Sequence, residues 1–148
     1  MTTTGELSRV DRANSAMSRL VIWGLCIVDT ALILVSGYIH LHLWRGPYRH
    51  LTVGHINDLF LLQVIGCIVV AIAILASRHI LSVLAGAGLL AGTFIGFLIS
   101  RYRTAGLFGW HDPYNTNYSK WALIVEIAGT ALTLLTALVI RQSTKAAS

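Results

Sequence analysis

Three ionisable side chains, two carboxylates and the imidazole of His40, stand inside stretches of the sequence that are mostly apolar. Asp29 and His40 lie in one such stretch, and Glu126 lies in another. Ionisable side chains are costly in a lipid environment and usually face a protein interior, where they pair with one another or bind a proton, an ion or a polar ligand. These three residues are therefore the first candidates for a functional site.

Helical spacing groups these residues with two further polar side chains. Ser36 and His40 follow Asp29 by seven and eleven residues, which places the three on one face of an α-helix. From the rise per residue, His40, Gln63 and Glu126 lie about 7–8 Å below the same membrane surface and can meet in one layer, with Asp29 deeper. We expect a polar pocket open to the side opposite the termini. The alternative is that these groups satisfy one another and fix the register of the helices.

Four histidines on that side of the membrane are candidates for metal or haem ligands. His40 and His42 end the first apolar stretch, and His55 and His111 lie in the loops of the same side. Imidazole binds zinc, copper, iron and haem, but the spacing of these residues matches no diagnostic ligand motif. We expect no cofactor, with haem, copper or zinc as the alternatives.

Aromatic residues also collect at this side, near the ends of the apolar stretches. They are Trp44, Tyr48, Tyr102, Trp110, Tyr114, Tyr118 and Trp121. A belt of this kind anchors helix ends at the membrane interface, which is the interpretation that we favour. The same residues are also a suitable lining for a quinone or a lipid headgroup.

The elements that must position these residues are four apolar helices. Of the 148 residues, 55% are hydrophobic and 11% are charged, too few charges for a water-facing surface. Four runs are long enough to cross a bilayer, and the domain they form, 20–141, is flanked by polar tails at 1–19 and 142–148. The runs are 20–43, 59–76, 80–100 and 121–140. The sequence therefore predicts an all-α membrane protein, a bundle of four antiparallel transmembrane helices.

Local signals predict where the helices end. Gly46 and Pro47 terminate the first helix, and Asn57 or Asp58 is a suitable N-cap for the second. Only three residues, 77–79, separate the second and third runs. A link this short predicts that these two helices form an adjacent antiparallel hairpin.

The third run carries small residues at every fourth position. They are Gly88, Gly92, Gly96 and Ser100. Because they share one helix face, another helix backbone can approach closely there. We expect this face to pack against a neighbouring span of the same chain. The alternative is an interface with a second copy of the chain or with another membrane subunit.

The basic residues indicate how the chain lies in the membrane. The formal net charge is +5, and Lys and Arg flank the apolar runs rather than forming a stripe with interleaved aromatics, so we expect contact with the lipid bilayer and none with nucleic acid. Six of the Lys and Arg residues lie on the side of the membrane that holds the termini, and five lie on the other side. This small excess predicts a multi-pass protein with cytoplasmic termini.

Three short segments form a pattern at the end of the first run and the start of the second. They are His40-Leu41-His42-Leu43-Trp44, Tyr48-Arg49 and Leu59-Phe60-Leu61-Leu62-Gln63. In these segments the chain resembles a group of small bacterial four-span membrane proteins of unassigned function. The resemblance implies a bacterial host and a plasma-membrane location, and it implies no activity.

The function that we expect is that of a non-enzymatic accessory or scaffold subunit. The sequence has no GxSxG elbow, no HExxH motif and no phosphate-binding loop, so a hydrolase or transferase is the least supported class. One alternative is a haem- or metal-binding redox protein that uses the histidine-rich side. A second alternative is a small proton-coupled transporter that uses Asp29 and Glu126.

Overall fold

Four long helices make up the described part of the chain. The computed structural model describes the backbone of residues 4–112 and 117–146 and the side chains of residues 16–112 and 117–145. The helices are α1 (Thr4–Arg45), α2 (Ile56–Ser77), α3 (Ile80–Tyr102) and α4 (Asn117–Ala146), with a short 3-10 helix at Val53–His55 before α2. All four are long and apolar enough to cross a membrane. The predicted all-α four-helix bundle is confirmed.

Large apolar side chains cover the outside of the bundle. Leu20 on α1, Leu62 on α2 and Leu81 on α3 are each more than three-fifths exposed, and Ile72 on α2 and Ile124 on α4 are exposed as well. An apolar surface of this extent is not stable in water and needs a lipid covering. The chain is therefore a multi-pass integral membrane protein.

The helix ends differ from the predicted spans in three places. α1 begins at Thr4, within the predicted polar tail 1–19, and α4 continues to Ala146, within the tail 142–148. Neither tail contains proline, so the backbone hydrogen bonds continue into the polar sequence. α2 begins at Ile56 after His55, whose backbone is left-handed and whose side chain makes no cap bond. The prediction of Asn57 or Asp58 as the cap is therefore wrong.

The predicted hairpin of α2 and α3 is present, and its helices diverge away from the link. α1 packs extensively on α2 and α4, and α3 packs on α4, whereas α2 and α3 contact each other less. Near the link the two are close, because a Cβ on Gly86 would lie 3.3 Å from Ile74 Cδ1. Further along α3, a Cβ on Gly88 or Gly92 would meet nothing within 4 Å. Although a Cβ on Gly66 of α2 would still lie 3.1 Å from Leu89 Cδ1 of α3, the bundle is open between the two helices at the exposed face of Gly88 and Gly92.

Candidate functional site

A cavity of about 540 Å³ lies where α2 and α3 diverge, with α1 and α4 at its back. Its volume is in the range of about 300–1,000 Å³ that is typical of small-molecule sites. Most of the lining is apolar. The polar residues that line it are His40, Gln63, Thr93, Ser100, Asp112, Ser119 and Glu126.

His40 and Glu126 form a buried pair at the back of this cavity. The Nε2 atom of His40 lies 3.7 Å from Oε1 of Glu126, and the two side chains are 9% and 2% exposed. The other ring nitrogen, Nδ1, donates to the backbone carbonyl of Ser36 at 2.8 Å, which fixes the ring and turns Nε2 toward the carboxyl group. At 3.7 Å the two atoms are adjacent but too far apart for a hydrogen bond.

Gln63 completes the layer that the sequence predicts. It lines the same cavity as His40 and Glu126, and its amide donates to the thiol sulfur of Cys67 at 3.7 Å. Ser36 is fully buried, and its hydroxyl has no hydrogen-bond partner among the described residues. Ser36 therefore supports the His40 ring through its backbone and is not part of the cavity lining.

Asp29 lies apart from this layer. Its side chain is fully buried, and neither carboxyl oxygen has a hydrogen bond within 3.5 Å among the described residues, although the Thr136 side chain is near enough to interact with the carboxyl group. It precedes His40 by eleven residues, about 16 Å along α1 at the helical rise. Asp29 and Glu126, the two buried carboxyl groups among the described side chains, thus belong to different sites.

Three aromatic side chains, Tyr48, Phe60 and Trp110, form a lid over the cavity at the end away from the α2–α3 link. Tyr48, which is 1% exposed, stacks on Phe60 with ring centroids 4.5 Å apart and meets the edge of Trp110 at 5.5 Å. Its hydroxyl donates to Oδ1 of Asp112 at 3.0 Å. The backbone amide of Asp112 in turn donates to the carbonyl of Ser100 at 3.3 Å, which joins the lid to the end of α3.

Tyr48 lies in the loop between α1 and α2, and Trp110 lies in the loop between α3 and α4. These two loops also touch each other directly. Gly54 has a φ of 58°, and a Cβ at this position would lie 2.6 Å from the carbonyl oxygen of Phe108. Only glycine adopts this backbone conformation without strain and leaves room for so close an approach. The loop contact and the lid together separate the cavity from the aqueous phase on this side.

The cavity opens instead toward lipid, between α2 and α3, so the expectation that it opens to the side opposite the termini is not met. Three residues both line the cavity and are exposed at the surface of the bundle. They are Gly88 and Gly92 on the α3 edge and Leu62 on the α2 edge. Gly96 also lines the cavity, and Ser100 is buried at the far end of the row. The prediction that this small-residue face packs against a span of the same chain is not met at Gly88 and Gly92. The alternative of an interface with another chain stays a prediction.

The four histidines that were candidates for metal or haem ligands are not brought together. His42 stacks on Tyr118 with ring centroids 4.2 Å apart, and the Nδ1 atom of His55 lies 3.2 Å from Asp58 at an exposed position. The ring of His111 donates to the carbonyl of Arg103. Within the described residues there is no group of three or more His, Cys, Asp or Glu side chains that could hold a metal ion.

The aromatic residues divide between the cavity and the membrane interface. Tyr48 and Trp110 line the cavity, whereas Tyr102 and Trp121 are largely exposed, as expected of interfacial anchors. Tyr114 lies outside the described residues. Sequence reasoning missed the bond between Tyr48 and Asp112, which are 64 residues apart and share no pattern.

Comparison of the chain with protein-family models, curated proteins and solved structures finds no match. The class that the fold and the cavity define is a four-helix integral membrane protein with a ligand-sized internal cavity.

Proposed function

We propose that this chain is a non-enzymatic integral membrane protein that holds one amphipathic molecule taken from the lipid phase. The observation that carries the proposal is the cavity between α2 and α3. It is mostly apolar, it has a single buried His–Glu pair at its back, and its exposed edge lies among lipid-facing residues.

The physical basis is the match between the lining and such a molecule. An apolar tail placed in the gap between α2 and α3 would cover Gly88, Gly92 and Leu62. A polar headgroup would reach His40 and Glu126, whose polar atoms are not in hydrogen-bonding contact with each other. A buried polar group gains the most free energy from a hydrogen-bonding partner where water is excluded. The occupant is therefore held at its headgroup and remains mobile at its tail.

The experiment is native mass spectrometry of the protein released from membranes, comparing wild type with Gly92→Leu. The added side chain enters the cavity, so the bound mass is expected to disappear. Ala85→Leu is the matched control, because Ala85 is exposed on the same helix and does not line the cavity. A wild-type protein without any bound molecule, or one whose bound mass survives Gly92→Leu, would refute the proposal.

A second candidate is an accessory subunit whose partner covers the small-residue face of α3. Gly88 and Gly92 favour it, since a helix from another membrane protein can approach a glycine face closely. Here Gly92→Leu is expected to release a co-purifying membrane protein, and Ala85→Leu is expected to retain it. Co-purification that is equal in both variants would remove this candidate.

We further propose the plasma membrane of a bacterium as the location, with both termini in the cytoplasm. The resemblance to small bacterial four-span proteins and the small excess of Lys and Arg on the terminal side support this. A cysteine introduced at Phe108, which is 68% exposed in the loop opposite the termini, is expected to react with a membrane-impermeant maleimide on intact cells. Reaction only after the membrane is opened would reverse the orientation.

A further inference from the structure

The charge of the cavity restricts the headgroup that it can hold. None of the described lining residues is Lys or Arg, while the buried carboxyl group of Glu126 belongs to the lining. An anionic phosphate brought to His40 and Glu126 would lose its hydration beside a carboxyl group and find no Lys or Arg side chain in the described lining. The site therefore favours a headgroup without a negative charge.

The shape of the polar end favours a flat ring. The ring of Phe60 lies 4.5 Å from that of Tyr48 and 5.3 Å from the imidazole of His40, measured between centroids. Trp110 meets the edge of Tyr48 and also lines the cavity. Aromatic side chains in this arrangement bind planar rings by stacking and edge contacts.

The His40–Glu126 pair supplies both kinds of hydrogen-bonding partner. Nδ1 of His40 is occupied by the Ser36 carbonyl, so Nε2 and the Glu126 carboxyl are the groups that remain for an occupant. A protonated member of the pair donates to a ring carbonyl, and an unprotonated member accepts from a ring hydroxyl. The pair can therefore form a hydrogen bond with the carbonyl of the oxidised ring and with the hydroxyl of the reduced ring.

We infer that the cavity binds a lipid-soluble quinone or quinol, with the ring oxygen at His40 and Glu126 and the isoprenoid tail leaving between α2 and α3. This rests on the proposed function and adds the chemical class of the occupant. The inference concerns binding of the ring and of its hydrogen-bonding oxygen.

The test is calorimetric titration of the detergent-purified protein with a short-chain ubiquinone analogue. We expect saturable binding of one molecule per chain, weakened roughly tenfold or more by Glu126→Leu, which removes the hydrogen-bonding partner. Glu126→Gln keeps a donor and an acceptor and is expected to stay within about threefold of wild type. His40→Phe keeps the ring contact with Phe60 and is expected to weaken binding as Glu126→Leu does.

Two results separate the inference from the proposed function. If the quinone does not bind but phosphatidylglycerol does, and Glu126→Leu strengthens that binding, the quinone inference is wrong while a lipid-phase occupant remains. If neither molecule shows saturable binding that Gly92→Leu abolishes and Ala85→Leu preserves, both the inference and the proposed function fail.

Discussion

Two glycines of the bundle should respond oppositely to the same substitution. Gly37 on α1 faces Cys67 on α2, and a Cβ added there would lie only 2.9 Å from the Cys67 Cβ. Gly92 on α3 lines the cavity, and a Cβ added there would meet nothing within 4 Å. Gly37→Ala is therefore expected to lower the stability of the fold relative to Gly92→Ala.

The size of the difference follows from two terms. Replacing a helical glycine with alanine favours the helix by about 0.5–1 kcal/mol, and this term is common to both positions. Overpacking a closed contact costs about 1–3 kcal/mol, and only Gly37 lies in one. Because the common term cancels, the free energies of unfolding of the two variants should differ by about 1–3 kcal/mol. Gly92→Ala should be at least as stable as wild type.

The assay is unfolding in mixed micelles with increasing dodecyl sulfate, followed by far-ultraviolet circular dichroism. Both variants remove one glycine from a transmembrane helix, so each is the control for the other. If Gly92→Ala lost as much stability as Gly37→Ala, Gly92 would be in a packed contact, and the separation of α2 from α3 would be wrong.

Three further substitutions test other parts of the structure by the same unfolding assay. Tyr48→Phe removes the 3.0 Å bond to Asp112 and should cost about 0.5–1.5 kcal/mol, and an unchanged stability would show that the lid bond does not form. Asp29→Leu replaces a buried carboxyl group that has no hydrogen bond within 3.5 Å in the described chain and should raise stability by about 1–3 kcal/mol, whereas a loss of stability would show that the carboxyl group bonds to Thr136. Gly54→Ala forces a side chain into a left-handed backbone and against Phe108, so it should cost at least about 1–2 kcal/mol, and a wild-type midpoint would contradict the loop contact.

The layer of His40, Gln63 and Glu126 could be predicted because helix geometry is regular. Once an apolar run is recognised as a span, the rise per residue gives the depth of each side chain, and the rotation gives its face. The buried position of Asp29 follows from the same reasoning, since a carboxyl group in a span rarely faces lipid. These predictions needed no knowledge of which helices are neighbours.

The glycine face could not be interpreted from spacing alone. A row of small residues at every fourth position looks the same whether another helix fills the groove or the groove stays open. The outcome depends on the divergence of α2 and α3, which is set by the packing of α2 on α1 and of α3 on α4. No local pattern in α3 encodes that divergence.

The histidines show a different limit. The sequence places His40, His42, His55 and His111 on one side of the membrane, but a shared side does not bring atoms within ligand distance. The structure directs them to a carboxylate, an aromatic ring, an exposed aspartate and a backbone carbonyl. Side-chain direction and loop conformation decide this, and neither can be read from the sequence.

Binding of a lipid-phase molecule between α2 and α3 requires a cavity that is open to lipid and closed to water. A nitroxide label at Gly92→Cys, with Cys26 and Cys67 replaced by serine, would measure this in vesicles by electron paramagnetic resonance, with a label at Phe108→Cys as the water-exposed reference. We expect dissolved oxygen from the lipid phase to relax the label at 92 strongly, and a water-soluble nickel complex to relax only the label at 108. If the nickel complex relaxed both labels equally, the cavity would be an aqueous pocket, and binding of a lipid-phase molecule between α2 and α3 would be contradicted.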